Sequence, residues 1–246
     1  MGAIGKCKLC GDHAALVDAH VIPNSFYAPV LSREGYGIRV PASPDNYESR
    51  FGTGEYDPNL VCLRCERGFS EWDGYGKRFL LDRDWSPVPG RLEPFIEVAE
   101  WDHALLKMFV LSVAWRVGAS NRPFFSQVSL GHHLSRLGAA VRASDPGGTD
   151  FYSVILAKFR GPSSAHPELD PKHGWMNPFQ KKMGDRMCLQ MYLADFVVIV
   201  KMDQRPFPSE LYRFCMAPDR PLFVLLRDFE RSGELRAMWQ TMQERK

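Results

Sequence analysis

The chain has 246 residues, 45% of them hydrophobic and 24% charged, and its formal net charge is +2. This length suits one large domain or two small ones with a sizeable core, and the composition is ordinary for a soluble globular protein. The near-neutral balance neither demands nor excludes a nucleic-acid partner, because a basic patch can sit on a neutral protein. The longest apolar stretches, 109–115 and 196–200, are too short to span a bilayer, so no membrane association is expected. Residues 1–6 lack the basic start and apolar run of a secretory signal, so a cytoplasmic protein is expected. In that reducing compartment six cysteines point to metal ligation or free thiols before disulfides.

In chain order, residues 1–90 are rich in Gly, Pro, Asp and Tyr with few long apolar runs. Such a segment is expected to bury little and to need something other than a hydrophobic core. The stretch 27–57 reads as loop, with repeated turn residues in "VPASPDNYESRFGTGEYD", and "DWSPVPGRLEP" at 84–94 reads as a boundary. The expected division is a zinc-stabilised module at 1–90 and an α+β accessory domain, for recognition of substrate or partner, at 91–246. Residues 95–145 read as helical, with apolar residues at Trp101, Leu105, Met108 and Ser112–Val113. That first helix is expected to be buried on most of its circumference and to end near Gly118. A second is expected over "FSQVSLGHHLSRLGAAVRAS", interrupted by Gly131 and Gly138. Beyond residue 150, "DFYSVILAKF", "CLQMYLADFVVIVKM" and "PLFVLLRDF" are β-branched and aromatic runs that read as strands. The tail "FERSGELRAMWQTMQERK" reads as an amphipathic helix.

Four of the six cysteines form two Cys-x2-Cys pairs, Cys7/Cys10 and Cys62/Cys65, separated by fifty-one residues. Each short loop turns two thiolates toward one point, and two such pairs complete a tetrahedron around Zn²⁺. A structural zinc site is therefore expected, with an insertion between its halves. Cys188 and Cys215 stand apart in the strand-rich half and read as core thiols.

Between the pairs lies "VDAHVIPNSFY", and around the second pair lies "YDPNLVCLRCERGFSEWD". The order Cys-x2-Cys, His-Val-Ile-Pro, Asn-Leu, Cys-x2-Cys resembles the HNH endonuclease family in its zinc-supported form, over about residues 5–75. The resemblance implies a treble-clef-like ββα-metal module followed here by a mixed helix and antiparallel-strand domain, α+β overall. It also implies hydrolysis of phosphodiester bonds in nucleic acid, DNA before RNA, with Mg²⁺ or Mn²⁺ as catalytic ion. His20 matches the family's general base and Asn59 its motif asparagine. Glu66 stands where the family has its last, metal-ligating histidine. Ala19 stands where many members have a metal-binding aspartate. Asp18 is then the nearest carboxylate to join Glu66 at the ion, with Glu71 and Asp73 also close in sequence. These departures leave open a degenerate member that binds nucleic acid or protein without cutting.

The residues themselves admit plainer roles. His20 suits a general base near neutral pH, or a structural histidine inside a loop. Glu66 suits a hard divalent ion, or the start of a helix, where the macrodipole favours a carboxylate. Asn59 also reads as a turn residue in "DPNL". Arg33, Arg39, Arg50, Lys77 and Arg78 interleave with tyrosines and read as phosphate contacts or as a solvated surface; the basic cluster at 179–186 has the same ambiguity. His13 reads as a loop residue. His132 and His133 are expected to point to different faces of a helix, and His166 and His173 to lie in a Pro-rich loop. A protein partner for the C-terminal domain completes the expectations.

Overall fold

In a computed structural model of the chain, the described residues are 3–28, 37–40, 50–51, 54–85, 94–161, 164, 170–172 and 174–243. Arg33, His166, His173 and most of the expected boundary at 84–94 lie outside them; Arg39 and Arg50 are described in their backbone alone.

The fold is a mixed α+β arrangement built on one long helix. Two short antiparallel strand pairs open the chain: β1 (Ile4–Lys6) forms a hairpin with β2 (His13–Ala15), and β3 (Ala19–His20) pairs with the later β6 (Tyr56–Asp57). Between the last two, β4 (Gly37–Val40) pairs with β5 (Arg50–Phe51) and, in parallel, with the distant β9 (Gly174–Met176). Then come α1 (Leu63–Gly68) and α2 (Ser70–Leu80). The second of these was not legible in a segment with Gly74 and Gly76 in its middle. Gly76 is there for contact: a Cβ at that position would stand 2.5 Å from the Phe109 ring of the long helix α3 (His103–Ala119).

Asp102 starts α3, its side chain accepting from the Leu105 N–H at 2.9 Å. From Leu106 to Val117 every residue of α3 is buried, as expected of a helix covered on nearly all sides. On a second side it meets α4 (His132–Ala143), where Gly138 lets the helix approach the Trp115 indole. Helix α4 begins after Gly131, whose φ of +51° is a conformation glycine adopts without strain, so the expected second helix loses its first seven residues.

Helix was also expected over residues 95–98, and these are instead a strand, β7 (Phe95–Val98), antiparallel to β13 (Leu222–Arg227). A four-residue apolar run fits either period, and pairing at a sheet edge decides it. The sheet has six strands in the order β10-β11-β12-β8-β13-β7, with β8 (Val154–Phe159), β10 (Phe179–Met183), β11 (Arg186–Leu193) and β12 (Phe196–Lys201). All neighbours are antiparallel except β13 and β8. The basic cluster at 179–186 is β10 and the turn that follows it. Strands β8 and β12 read as continuous apolar runs because both faces are covered. Val154, Leu156, Phe196, Val198 and Val200 join the core around α3. Ile155, Ala157, Phe159, Val197 and Ile199 join a second core with Leu235 and Met238 of α6 (Gly233–Gln243). A short helix, α5 (Ser209–Tyr212), precedes β13.

The first ninety residues do not bury little. Leu9, Leu16, Val21, Ile22, Phe26, Leu60, Val61, Phe69, Trp72 and Phe79 are all buried, in the same core cluster as Leu106 to Val117 and the inner sheet face. The apolar residues of this region are scattered in sequence, and α3 supplies the surface that gathers them. Among the described residues no helix is long and apolar enough to cross a membrane.

One buried charge sets a pH dependence. Lys107 of α3 is fully buried, its Nζ donating to the Gly148 carbonyl at 2.6 Å. Burial pulls its amine from the ordinary 10.5 down to about 8, against the opposing charges of Cys215, Asp145 and Asp150. Between those two values the unfolded chain holds the proton that the folded chain has lost. This contribution to stability therefore rises from about pH 8 to 10.5 and is lost as the pH falls through 8. Urea midpoints should show the wild type gaining on Lys107→Met across that window; parallel curves would contradict the assignment.

Candidate metal centre and the adjoining charge cluster

The β1–β2 hairpin carries the first cysteine pair. Cys7 follows β1, and the turn closes through the Gly11 N–H on the Cys7 carbonyl at 2.9 Å, with Gly11 at φ +85°. Cys62 bridges Leu16 and caps α1, and Cys65 lies in its first turn. The Cys62 main-chain N–H donates to Cys7 Sγ at 3.4 Å. Cys7 and Cys65 sulfurs are 3.7 Å apart, those of Cys10 and Cys62 3.9 Å, and all four lie within 4.8 Å of one another. Tetrahedral zinc at about 2.3 Å from each sulfur places them about 3.8 Å apart. The four cysteines thus form a metal-binding site compatible with structural zinc. Burial, then hydrogen bonds with the other three sulfurs, push the Cys65 thiol well up, and a divalent cation would reverse that by stabilising thiolates.

His20 stands on β3, opposite Tyr56 of β6, with ring centroids 6.5 Å apart. Ala19 before it is fully buried, so that position gives a methyl group to the core. Asp18 is exposed. Asn59 is exposed on the turn after β6, where its main-chain N–H donates to Asp57 Oδ1 at 2.9 Å. Asp57, buried, also accepts from Ser120 Oγ at 3.0 Å and the Asn121 N–H at 3.1 Å, tying the strand pair to the end of α3.

Glu66 lies in the first turn of α1 and turns inward. Its Oε2 is buried with no hydrogen-bond partner. Burial raises its pKa most; the Arg116 guanidinium opposes this, the Asp73 carboxylate adds to it, and the His20 main-chain N–H opposes it. Arg116 of α3 is wholly buried. Its Nη2 donates to Asp73 Oδ1 at 2.6 Å, and its Nη1 to Asp73 Oδ2 at 3.0 Å and to the His20 carbonyl at 3.2 Å. It also stacks over the Phe69 ring at 4.6 Å. The structure therefore brings Glu66, Asp73, Arg116 and the main chain of His20 together. It does not gather Asp18, His20 and Glu66 as converging ligands; among the described residues the four cysteines are the one group of three or more that converges.

No family model, curated protein or solved structure matches this chain.

Other expected residues fall outside the cluster. Lys77 pairs with Asp82 at 2.9 Å, Arg78 lies over Tyr75, and Glu71 and His13 are exposed. His132 and His133 do not diverge: at the start of α4 their rings lie 4.0 Å apart, and His133 Nδ1 meets the Tyr152 hydroxyl at 3.1 Å. Cys188 and Cys215 are buried, and burial pushes both thiols up to about 11. The cluster's central residue, Arg116, carried only a weak sign: an arginine inside an otherwise apolar helical run needs a buried partner.

Proposed function

We propose that this chain is an HNH-like endonuclease that hydrolyses phosphodiester bonds in nucleic acid, DNA before RNA, on a treble-clef-like ββα-metal module. The observation that carries the reading is the unpartnered Glu66 Oε2, one residue beyond the last zinc cysteine and facing the strand that bears His20. A buried carboxylate oxygen without a donor asks for a proton, a water or a cation. Glu66 fits a divalent ion by donor chemistry; Asp18 is exposed and does not converge with it and His20, and Asp73 is already engaged by Arg116. Mg²⁺ or Mn²⁺ bound there would supply charge neutralisation at the phosphate and the leaving oxygen. His20 accepts the proton of the attacking water, and Arg116 holds the His20 strand by its carbonyl. Asn59 supports the turn that follows β6.

A second reading rests on Arg116. Its guanidinium already gives Glu66 and Asp73 a positive neighbour, which a divalent ion must tolerate. If it replaces the ion, the module binds nucleic acid or protein without cutting.

Variants separate the two. Loss of a general base costs roughly 100- to 10,000-fold. His20→Ala, with zinc retained, should therefore lower the single-turnover cleavage rate by at least about a hundredfold, and Glu66→Gln should abolish the response to Mn²⁺. Wild-type rates from His20→Ala would remove the assigned base.

A further inference from the structure

Two grooves flank the first cysteine loop and meet at Leu9, Cys10 and Arg142. One, of about 950 Å³, runs between that loop and helices α3 and α4; the other, of about 290 Å³, runs between it, α1 and the end of α4. Their floor is apolar, with Leu9, Trp115, Phe69 and Trp72, and their rims carry Lys6, Lys8, Arg64 and Arg142. No aspartate or glutamate lines either one among the described residues.

All four cations are exposed. Two are held in place by carbonyls: Lys8 Nζ donates to Ala119 at 2.6 Å and Arg142 Nη1 to Leu9 at 2.8 Å. Arg64 pairs with Asp12 at 2.6 Å at the surface and also meets the Cys10 thiol, and the Lys6 side chain has no hydrogen bond or ion pair among the described residues. A zinc ion with four thiolates leaves two negative charges, and Asp12 adds one. Four cations outweigh these three, so more than zinc balancing is present. A bent, carboxylate-free trough with fixed positive rims over an apolar floor matches a strand whose phosphates are anionic and whose sugars and bases are not.

We infer that the two grooves form one continuous track for the phosphodiester backbone of a nucleic-acid strand, contacted by Lys6, Lys8, Arg64 and Arg142. The choice of partner rests on the nucleic-acid reading above, but the track requires no cutting.

The test is fluorescence anisotropy with labelled 20-mer duplex DNA, single-stranded DNA and RNA, without added Mg²⁺ or Mn²⁺, over a salt series. Proteins are the wild type, Lys6→Glu and Lys6→Gln/Arg64→Gln, each with its zinc content measured. Each lost phosphate contact should reduce the salt slope by about one. The double variant should therefore bind about tenfold or more weakly with a slope shallower by about two, and Lys6→Glu should weaken binding by itself. The three ligands show which strand the track takes. Unchanged affinity and slope in both variants, or no binding of any ligand by the wild type, would overturn the track. Variant-sensitive binding without cutting would keep the track and defeat the nuclease; cutting with variant-insensitive binding would do the reverse.

Discussion

Removing zinc with a strong chelator is expected to open the region around the two cysteine pairs while leaving the six-stranded sheet folded. Structural zinc contributes about 10–16 kcal/mol of apparent binding free energy in small zinc-folded peptides, and zinc bound by these four cysteines would hold short elements. Strands β1, β2, β3 and β6 have two or three residues each and cannot persist alone. The sheet's inner face packs on α3 in the core it shares with the cysteine region, but its outer face has a separate core with α6 that includes none of the four cysteines. Amide exchange should accelerate over residues 4–20 and 56–68 and stay slow in β8, β11 and β12. Cys62→Ser should reproduce this with zinc content falling from one per chain. Uniform unfolding, or no change at all, would contradict a local structural site.

The second large effect concerns Arg116. Replacing it by Met leaves Asp73 and the His20 carbonyl without this donor, and removes the one cation beside Glu66 among the described residues. Breaking a buried ion pair from one side costs about 3–5 kcal/mol. At about 2–4 °C per kcal/mol for a chain of this size, the melting temperature should fall by roughly 6–20 °C. The Asp73→Asn/Arg116→Met double variant should recover part of that loss, because the stranded charge is gone. A double variant no more stable than Arg116→Met would mean that the guanidinium acts through packing on Phe69 instead.

What could be read from the residues, and what could not, divides along physical lines. The four-cysteine metal-binding site was legible because Cys-x2-Cys spacing encodes its geometry locally, and the structure places all four sulfurs together. The strands at 154–159, 186–201 and 222–227 were legible because β-branched runs bounded by turn residues leave little choice. Helix α2 was not, since Gly76, a poor helix former, is required by the Phe109 ring thirty-three positions away. Residues 95–98 were misread as helix because their partner strand begins at Leu222. The Arg116–Asp73 pair spans forty-three positions and joins parts of the chain expected to be separate. Glu66 was singled out by its place after Cys65, but its inward turn and unpartnered oxygen come from tertiary packing alone.

The most direct measurement is plasmid cleavage by zinc-replete wild-type protein, with Mg²⁺, with Mn²⁺ and with neither, on supercoiled DNA and on single strands of DNA and RNA. The expected result is nicking or cutting that needs the added divalent ion while zinc stays bound at one per chain. Nucleic acid left intact under every condition, with zinc still in place, would contradict the nuclease and leave a binding module whose Glu66 is served by Arg116.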